Sequence, residues 1–313
     1  MTASGTTVSG RRAPVTLPPA DRTKQLLKNS VYRTLGETTA ALRMNGHSEP
    51  RLRVLMYHRI NDRPGNPGTI PTTLFAEQMA QLGELGYTVV GIDAVARHYR
   101  SGDPLPARSV LLTFDDGYHD HLENALPALR QHGYRATMFV PTAFLDGRET
   151  LPHERRLRAR GIVNRTLDWT ELAELVAEGV DVESHGITHR VLSQLDIHEA
   201  TREIVESKRL LEERLGRRVS AFAYPKGGEG HFNAQHARLV GEAGYELAFT
   251  SISGANVPET HPLLLRRYNI EPYSARTFAL VLAGWCDLIA VKDTVRGTQS
   301  RRLLNAALRT SSE

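Results

Sequence analysis

The chain has 313 residues, 40% apolar and 24% charged, enough for one large globular domain with extensions or for two small ones. One cysteine, Cys286, excludes an internal disulfide framework, and no apolar run reaches the 18 residues of a membrane-spanning helix. The net charge of +4 arises wholly within residues 1–50, so the rest is balanced and has no basic footprint for nucleic acid.

Residues 1–22 are rich in Ser, Thr, Gly and Pro and read as disordered, without the apolar core of a secretory signal. From that composition a cytoplasmic location, with membrane association through the leader as a variant, is the expectation. Leu27, Val31 and Leu35, four apart, predict a weakly amphipathic helix over 23–43. It suits packing on the main domain, or peripheral contact with an anionic membrane; a solvated basic leader is the simpler account of the charge.

From residue 51 a βα rhythm begins. "RVLMYH", "TVVGI", "SVLLTF", "ATMFV", "VDVES", "SAFAYP", "ELAFT" and "LLLRRYNI" read as strands. Between them, "LFAEQMAQLGELGY", "DAVARHYRSG", "HLENALPALRQHG", "TELAELVAEG", "IHEATREIVESKRLLEERLG" and "NAQHARLVGEAG" read as helices, with "ARTFALVLAG" last. Alternation implies a parallel sheet, and seven or eight units over 51–285 fit a closed barrel better than a doubly wound sheet. No G-x-G-x-x-G follows an early strand. Residues 1–50 then form a leader and 286–313 a basic tail in which "RRLLNAALR" can make a short helix.

Parallel βα barrels build their sites at the C-terminal strand ends. The polar residues falling there are His58, the pair Asp115 and Asp116, His185 and His189, Lys226, and Arg266 with Arg267. Two adjacent carboxylates after an apolar run repel each other and need a cation, a mobile proton or open water. Capping of the next helix accounts for one of them, not both. His185 and His189 form an H-x-x-x-H pair, weak alone in a chain with 13 histidines. Two imidazoles and a carboxylate from another strand end, however, make a facial triad with open positions. A cation held there acidifies water, and the second carboxylate can collect the proton.

These residues carry a family resemblance. T-F-D-D-G-Y at 113–118 and S-H-G-I-T-H at 184–189 resemble the first two motifs of the polysaccharide deacetylases, the NodB-homology domain of carbohydrate esterase family four. "ATMFV", W-T-E-L at 169–172 and "FAYPKG" at 222–227 agree in order, and the resemblance spans roughly 51–285. It implies a distorted (β/α)7-type barrel and metal-dependent removal of N-acetyl groups from amino sugars. Asp115 is then the general base. Asp116, His185 and His189 hold a divalent metal, zinc foremost, with cobalt, nickel or iron as alternatives. The Tyr118 backbone N–H faces the oxyanion.

The chain departs from the family pattern in three places. Gly186 stands where Ser or Thr usually follows the first motif-two His. Ala223 stands where motif three usually has Arg before Tyr224, Pro225 and Lys226, which line the substrate side. The late strand lacks the usual histidine acid. "VLMYHRI" at 54–60, ending in His58, resembles the branch, including exopolysaccharide deacetylases, in which the last motif opens the domain. His58 is therefore read as the general acid, and Arg59, Lys226 or Arg266 as substitutes for the missing Arg.

The substrate this implies is an N-acetylated glycan, or a lipid-linked glycan precursor if the enzyme works on the cytoplasmic face. A hydrolase of small non-sugar amides and a non-catalytic glycan-binding relative are the competing readings. The basic connection at 148–165 reads as a lid over an anionic glycan or phosphate, or more simply as a solvated loop. Trp169 and Trp285 read as sugar-stacking or as core.

Overall fold

The computed structural model describes residues 19–41, 51–63, 65–66, 68–146 and 149–287. Most of the predicted disordered leader and the predicted tail helix lie outside them. Helix α1 runs Pro19–Ala41, so it starts within the stretch read as disordered. It packs on the last helix, α9 (Ala275–Leu282): Leu35 and Tyr32 meet the core, and Asn29 donates to the Pro272 carbonyl at 3.0 Å. Of the predicted apolar stripe only Leu35 is covered; Leu27 and Val31 are exposed. No helix of the described residues is long and apolar enough to cross a membrane.

Eight strands, all paired in parallel, make the sheet. They are β1 (Arg53–Tyr57), β2 (Thr88–Val89), β3 (Ser109–Asp115), β4 (Thr137–Val140), β5 (Asp181–Ser184), β6 (Ala221–Ala223), β7 (Leu247–Phe249) and β8 (Tyr268–Asn269). The order is β7-β6-β5-β4-β3-β1-β8, with β2 on β3 outside this path. Leu265 bridges to Phe249 of β7, while Tyr268 and Asn269 pair with β1, so one segment touches both edges and curls the sheet into a barrel. The first strand thus neighbours the last, as a relocated last motif requires. The strand predicted from "LLLRRYNI" shrinks to two residues, because Pro262–Leu264 form a 3₁₀ turn.

Helices α2 (Thr72–Glu84), α3 (Ile92–Ser101), α4 (Leu126–His132), α6 (Trp169–Ala177), α7 (Ile197–Leu215) and α8 (Ala234–Glu242) follow as the sequence predicts, with a short α5 (Arg155–Arg158) inside the basic connection. Asp168, Asp196 and Asn233 close capping boxes that fix where α6, α7 and α8 begin. Ahead of α4 the chain forms a π-helical turn, His121–Ala125. Pro127 has no N–H for the carbonyl four residues back, so the ladder shifts register there.

Strand parity sorts the side chains into two cores. Leu55, Tyr57, Leu112, Phe114 and Val182 face the helices. Val54, Leu111, Phe139, Ala221, Ala223, Leu247, Phe249 and Leu265 fill the barrel interior. Continuing each inward row by two reaches His58 beyond β1, Thr113 and Asp115 on β3, and Arg267 beyond Leu265. The apolar floor therefore ends in polar groups at one mouth.

Candidate active site

Arg267 is the largest fully buried side chain, 1% exposed. Its guanidinium forks onto Asp115, Nη1 to Oδ1 at 2.6 Å and Nη2 to Oδ2 at 2.8 Å, and its Nε donates to the Thr250 carbonyl at 2.8 Å. Burial alone raises the Asp115 pKa, but Arg267, then His185, outweigh it and hold the carboxyl below its ordinary value. Arg267, just before β8, thus makes the bidentate contact to Asp115. Arg266, one of the three candidates for the missing motif-three Arg, is exposed and lies along Gly254; its parity turns it out of the barrel. Arg59, a second candidate, ion-pairs with Glu154, and Lys226, the third, is exposed.

Asp116 has φ +73, a left-handed conformation that costs a non-glycine residue, and Gly117 follows at φ +62. This reversal turns Asp116 back over the mouth beside Asp115. Asp116 Oδ1 is buried without a hydrogen-bond partner among the described residues. Instead it faces imidazoles: His189 Nε2 at 3.2 Å and His185 Nε2 at 3.9 Å. His185 Nδ1 lies 2.7 Å from the Ala223 carbonyl, which can only accept, so Nδ1 carries a proton and Nε2 is the ring atom turned toward the aspartates. Burial pushes the His189 pKa down to about 3 against the pull of Asp116, so its ring is neutral near pH 7. An orphaned carboxylate oxygen facing two imidazole Nε2 atoms fits a divalent cation.

A third imidazole joins them. Donor atoms of Asp116, His153 and His189 all lie within 4.8 Å of one another. His153 comes from the basic connection, and no periodicity or spacing marked it in the sequence. Burial works to raise the Asp116 pKa, but His153 and then His189 hold this carboxyl well below the usual range.

The H-x-x-x-H turn is shaped from below by Glu203 of α7, another residue with no sequence signal. It accepts from the Ile187 N–H at 2.7 Å, the Thr188 N–H at 2.9 Å, and the Thr188 hydroxyl. Gly186 has φ +79, and a Cβ there would sit 3.1 Å from Glu203 Oε2. The glycine that departs from the family pattern thus suits the left-handed backbone, with the carboxylate close to it. Gly186→Ser is expected to lower the unfolding free energy by about 1–2 kcal/mol, the usual penalty of that backbone region for a side-chain-bearing residue. An unchanged urea midpoint would overturn this account.

His58 follows β1 inside the field of both aspartates, which oppose the larger lowering of its pKa by burial. Two neighbours hold its backbone. His121 Nε2 donates to the His58 carbonyl, and Asp120 Oδ2 accepts from the Ile60 N–H at 3.1 Å and from Asn61 Nδ2 at 2.5 Å. Tyr118 is buried, its hydroxyl 2.8 Å from both Glu154 Oε1 and His153 Nε2.

The third-motif residues divide. Tyr224, predicted on the substrate side, stacks on Phe232 at 4.1 Å and donates its hydroxyl to the Leu263 carbonyl at 3.1 Å; its ring is core, because outward parity points it at the helices. Pro225 is buried next to Gly186, and Lys226, at φ +62, is exposed near enough to His189 to help lower its pKa. Trp169 packs on the core under the Arg214 guanidinium, 5.3 Å from its ring centre, which answers the sugar-stacking reading with packing.

Residues 102–248 match a family model described as polysaccharide deacetylase. The putative polysaccharide deacetylase YxkH of Bacillus subtilis is 26% identical over 222 residues, 71% of this chain and 72% of that protein. The poly-β-1,6-N-acetyl-D-glucosamine N-deacetylase of Escherichia coli K12 is 35% identical over 94 residues, 29% of this chain but only 14% of that protein. Among solved structures, the Streptococcus pyogenes deacetylase PplD in complex with acetate superposes with a TM-score of 0.66 at 23% identity, covering 75% of this chain and 99% of that one. IcaB from Ammonifex degensii gives 0.63 at 26% identity, over 76% and 97%.

Proposed function

Since the chain belongs to the polysaccharide deacetylase family, we propose that it is a metal-dependent hydrolase removing N-acetyl groups from amino sugars of a glycan. The observation that carries this is the orphaned Asp116 Oδ1 facing His185 and His189, beside an Asp115 kept ionised by Arg267. A divalent cation, zinc by its affinity for imidazole and carboxylate, would be held by Asp116, His185 and His189 and would supply Lewis-acid polarisation and acidified water.

The chain's own residues do the rest. Asp115 takes a proton from water as its oxygen bonds to the acetyl carbon. The backbone N–H of Tyr118 faces the developing oxyanion. His58 gives a proton to the sugar nitrogen as the C–N bond breaks, leaving acetate and a free amine. Because Arg267 occupies both oxygens of Asp115, proton transfer uses the remaining lone pairs of a fixed carboxylate, and geometry outweighs basicity.

The test is acetate release from N-acetylglucosamine oligomers by protein stripped with chelator and then reloaded with zinc or cobalt. Release that returns only with metal supports the reading. Release from a small N-acetyl amide but not from oligomers would overturn the glycan assignment. No metal uptake would overturn the catalytic one.

A further inference from the structure

The connection at 149–165 is built into the metal centre, not laid over it. Its anchor is Glu154, 1% exposed. Glu154 Oε1 ion-pairs with Arg59 and accepts from the Tyr118 hydroxyl at 2.8 Å, and its Oε2 accepts from Asn164 Nδ2 at 2.7 Å. These contacts fix proton directions. Carboxylate oxygens only accept, so the single proton of Tyr118 points at Glu154. The Tyr118 oxygen is then an acceptor for His153 Nε2, 2.8 Å away, and Nε2 must carry the hydrogen. The same Nε2 lies 3.3 Å from Asp116 Oδ2.

The two oxygens of Asp116 are thereby made unequal. Oδ2 has an N–H beside it; Oδ1, buried without a hydrogen-bond partner among the described residues, faces Nε2 of His185 and His189. We infer that His153 is a positioning residue: its Nε2–H, aligned by Tyr118 and Glu154, holds Oδ2 of Asp116 so that Oδ1 alone is offered to the metal. This rests on the metal-site reading above. It differs from the simplest view of three clustered imidazoles, in which His153 is itself a ligand, because a nitrogen that carries a proton has no lone pair to give.

The experiment is cobalt binding to the full-length apo-protein by competition titration, with the visible spectrum of the bound ion, for wild type, His153→Ala and His153→Gln. Glutamine keeps an N–H donor near the place of Nε2 without an imidazole. Partners that orient a metal ligand usually matter by about 10–100-fold in affinity. The inference expects a loss in that range for His153→Ala, recovery to within about threefold of wild type in His153→Gln, and one cobalt spectrum throughout. Thermal melts of the apo-proteins show whether the Ala variant is folded, and the Gln arm stands even where it is not. An equal loss in both variants with an altered spectrum would make His153 a ligand and overturn the inference. Unchanged affinity in His153→Ala would also overturn it while leaving the metal site standing, and no cobalt uptake by wild type would remove both.

Discussion

Replacing Arg267 with methionine is expected to lower the unfolding free energy by about 3–5 kcal/mol, the range found when one member of a buried ion pair is removed and the other left uncompensated. Asp115 and Arg267 are both nearly inaccessible, and the fork between them uses both carboxylate oxygens. Methionine leaves a buried carboxylate without its counter-charge above the apolar cluster that holds Leu111, Phe139 and Phe249. The pH dependence gives the sign. With Arg267 present the folded-state pKa of Asp115 lies below its ordinary value, so the pair's contribution is complete above that value and is lost as pH falls through the folded pKa. The gap between wild type and Arg267→Met in urea unfolding should therefore be widest near neutrality and narrow in acid. Adding Asp115→Asn to Arg267→Met should recover part of the loss, since the stranded charge goes with it. A gap independent of pH would mean that Arg267 stabilises by packing alone.

Much of the fold was readable because parallel βα units announce themselves. Buried runs such as "SVLLTF" alternate with helices whose starts are marked by Asp168, Asp196 and Asn233. The strand ends then single out His58, Asp115, Asp116, His185 and His189 without further help. What escaped depends on register and on loops. Choosing between Arg266 and Arg267 needs the knowledge that Leu265 points into the barrel, and a two-residue strand after a 3₁₀ turn carries too little alternation to show it. Tyr224 was misplaced for the same reason, its outward parity hidden in a three-residue strand. His153 and Glu154 lie in a run of arginines that reads as solvated, and only the closing of the connection onto Tyr118 reveals that Glu154 is buried. Glu203 occupies the buried side of a charge-rich helix, where its partners are backbone N–H groups that no side-chain pattern records.

The second large effect concerns the proposed division of labour between Asp115 and His58, and it turns on the leaving group. Burial lowers the His58 pKa below its ordinary value, so in the proposed mechanism the ring rests neutral near pH 7 and is charged only while it relays a proton. A neutral imidazole of depressed pKa is a poor reservoir but, once loaded, a strong acid, which suits an amine that cannot depart unprotonated. Placement supports this role: parity turns His58 inward, β8 flanks β1, and Asp120 and His121 grip residues 58–61 from the next strand end. Both Asp115→Asn and His58→Ala are therefore expected to slow acetate release from N-acetylated sugars by about 10²–10⁴-fold, the usual contribution of a positioned acid or base. An activated aryl acetate separates them, because its phenolate departs without a proton. There Asp115→Asn should remain as damaging, since water must still be deprotonated, whereas His58→Ala should come within about tenfold of wild type, well short of that loss. Full activity of His58→Ala on the amide would remove it from the mechanism. Equal losses on both substrates would assign it to binding, with the acid to be sought elsewhere in the mouth.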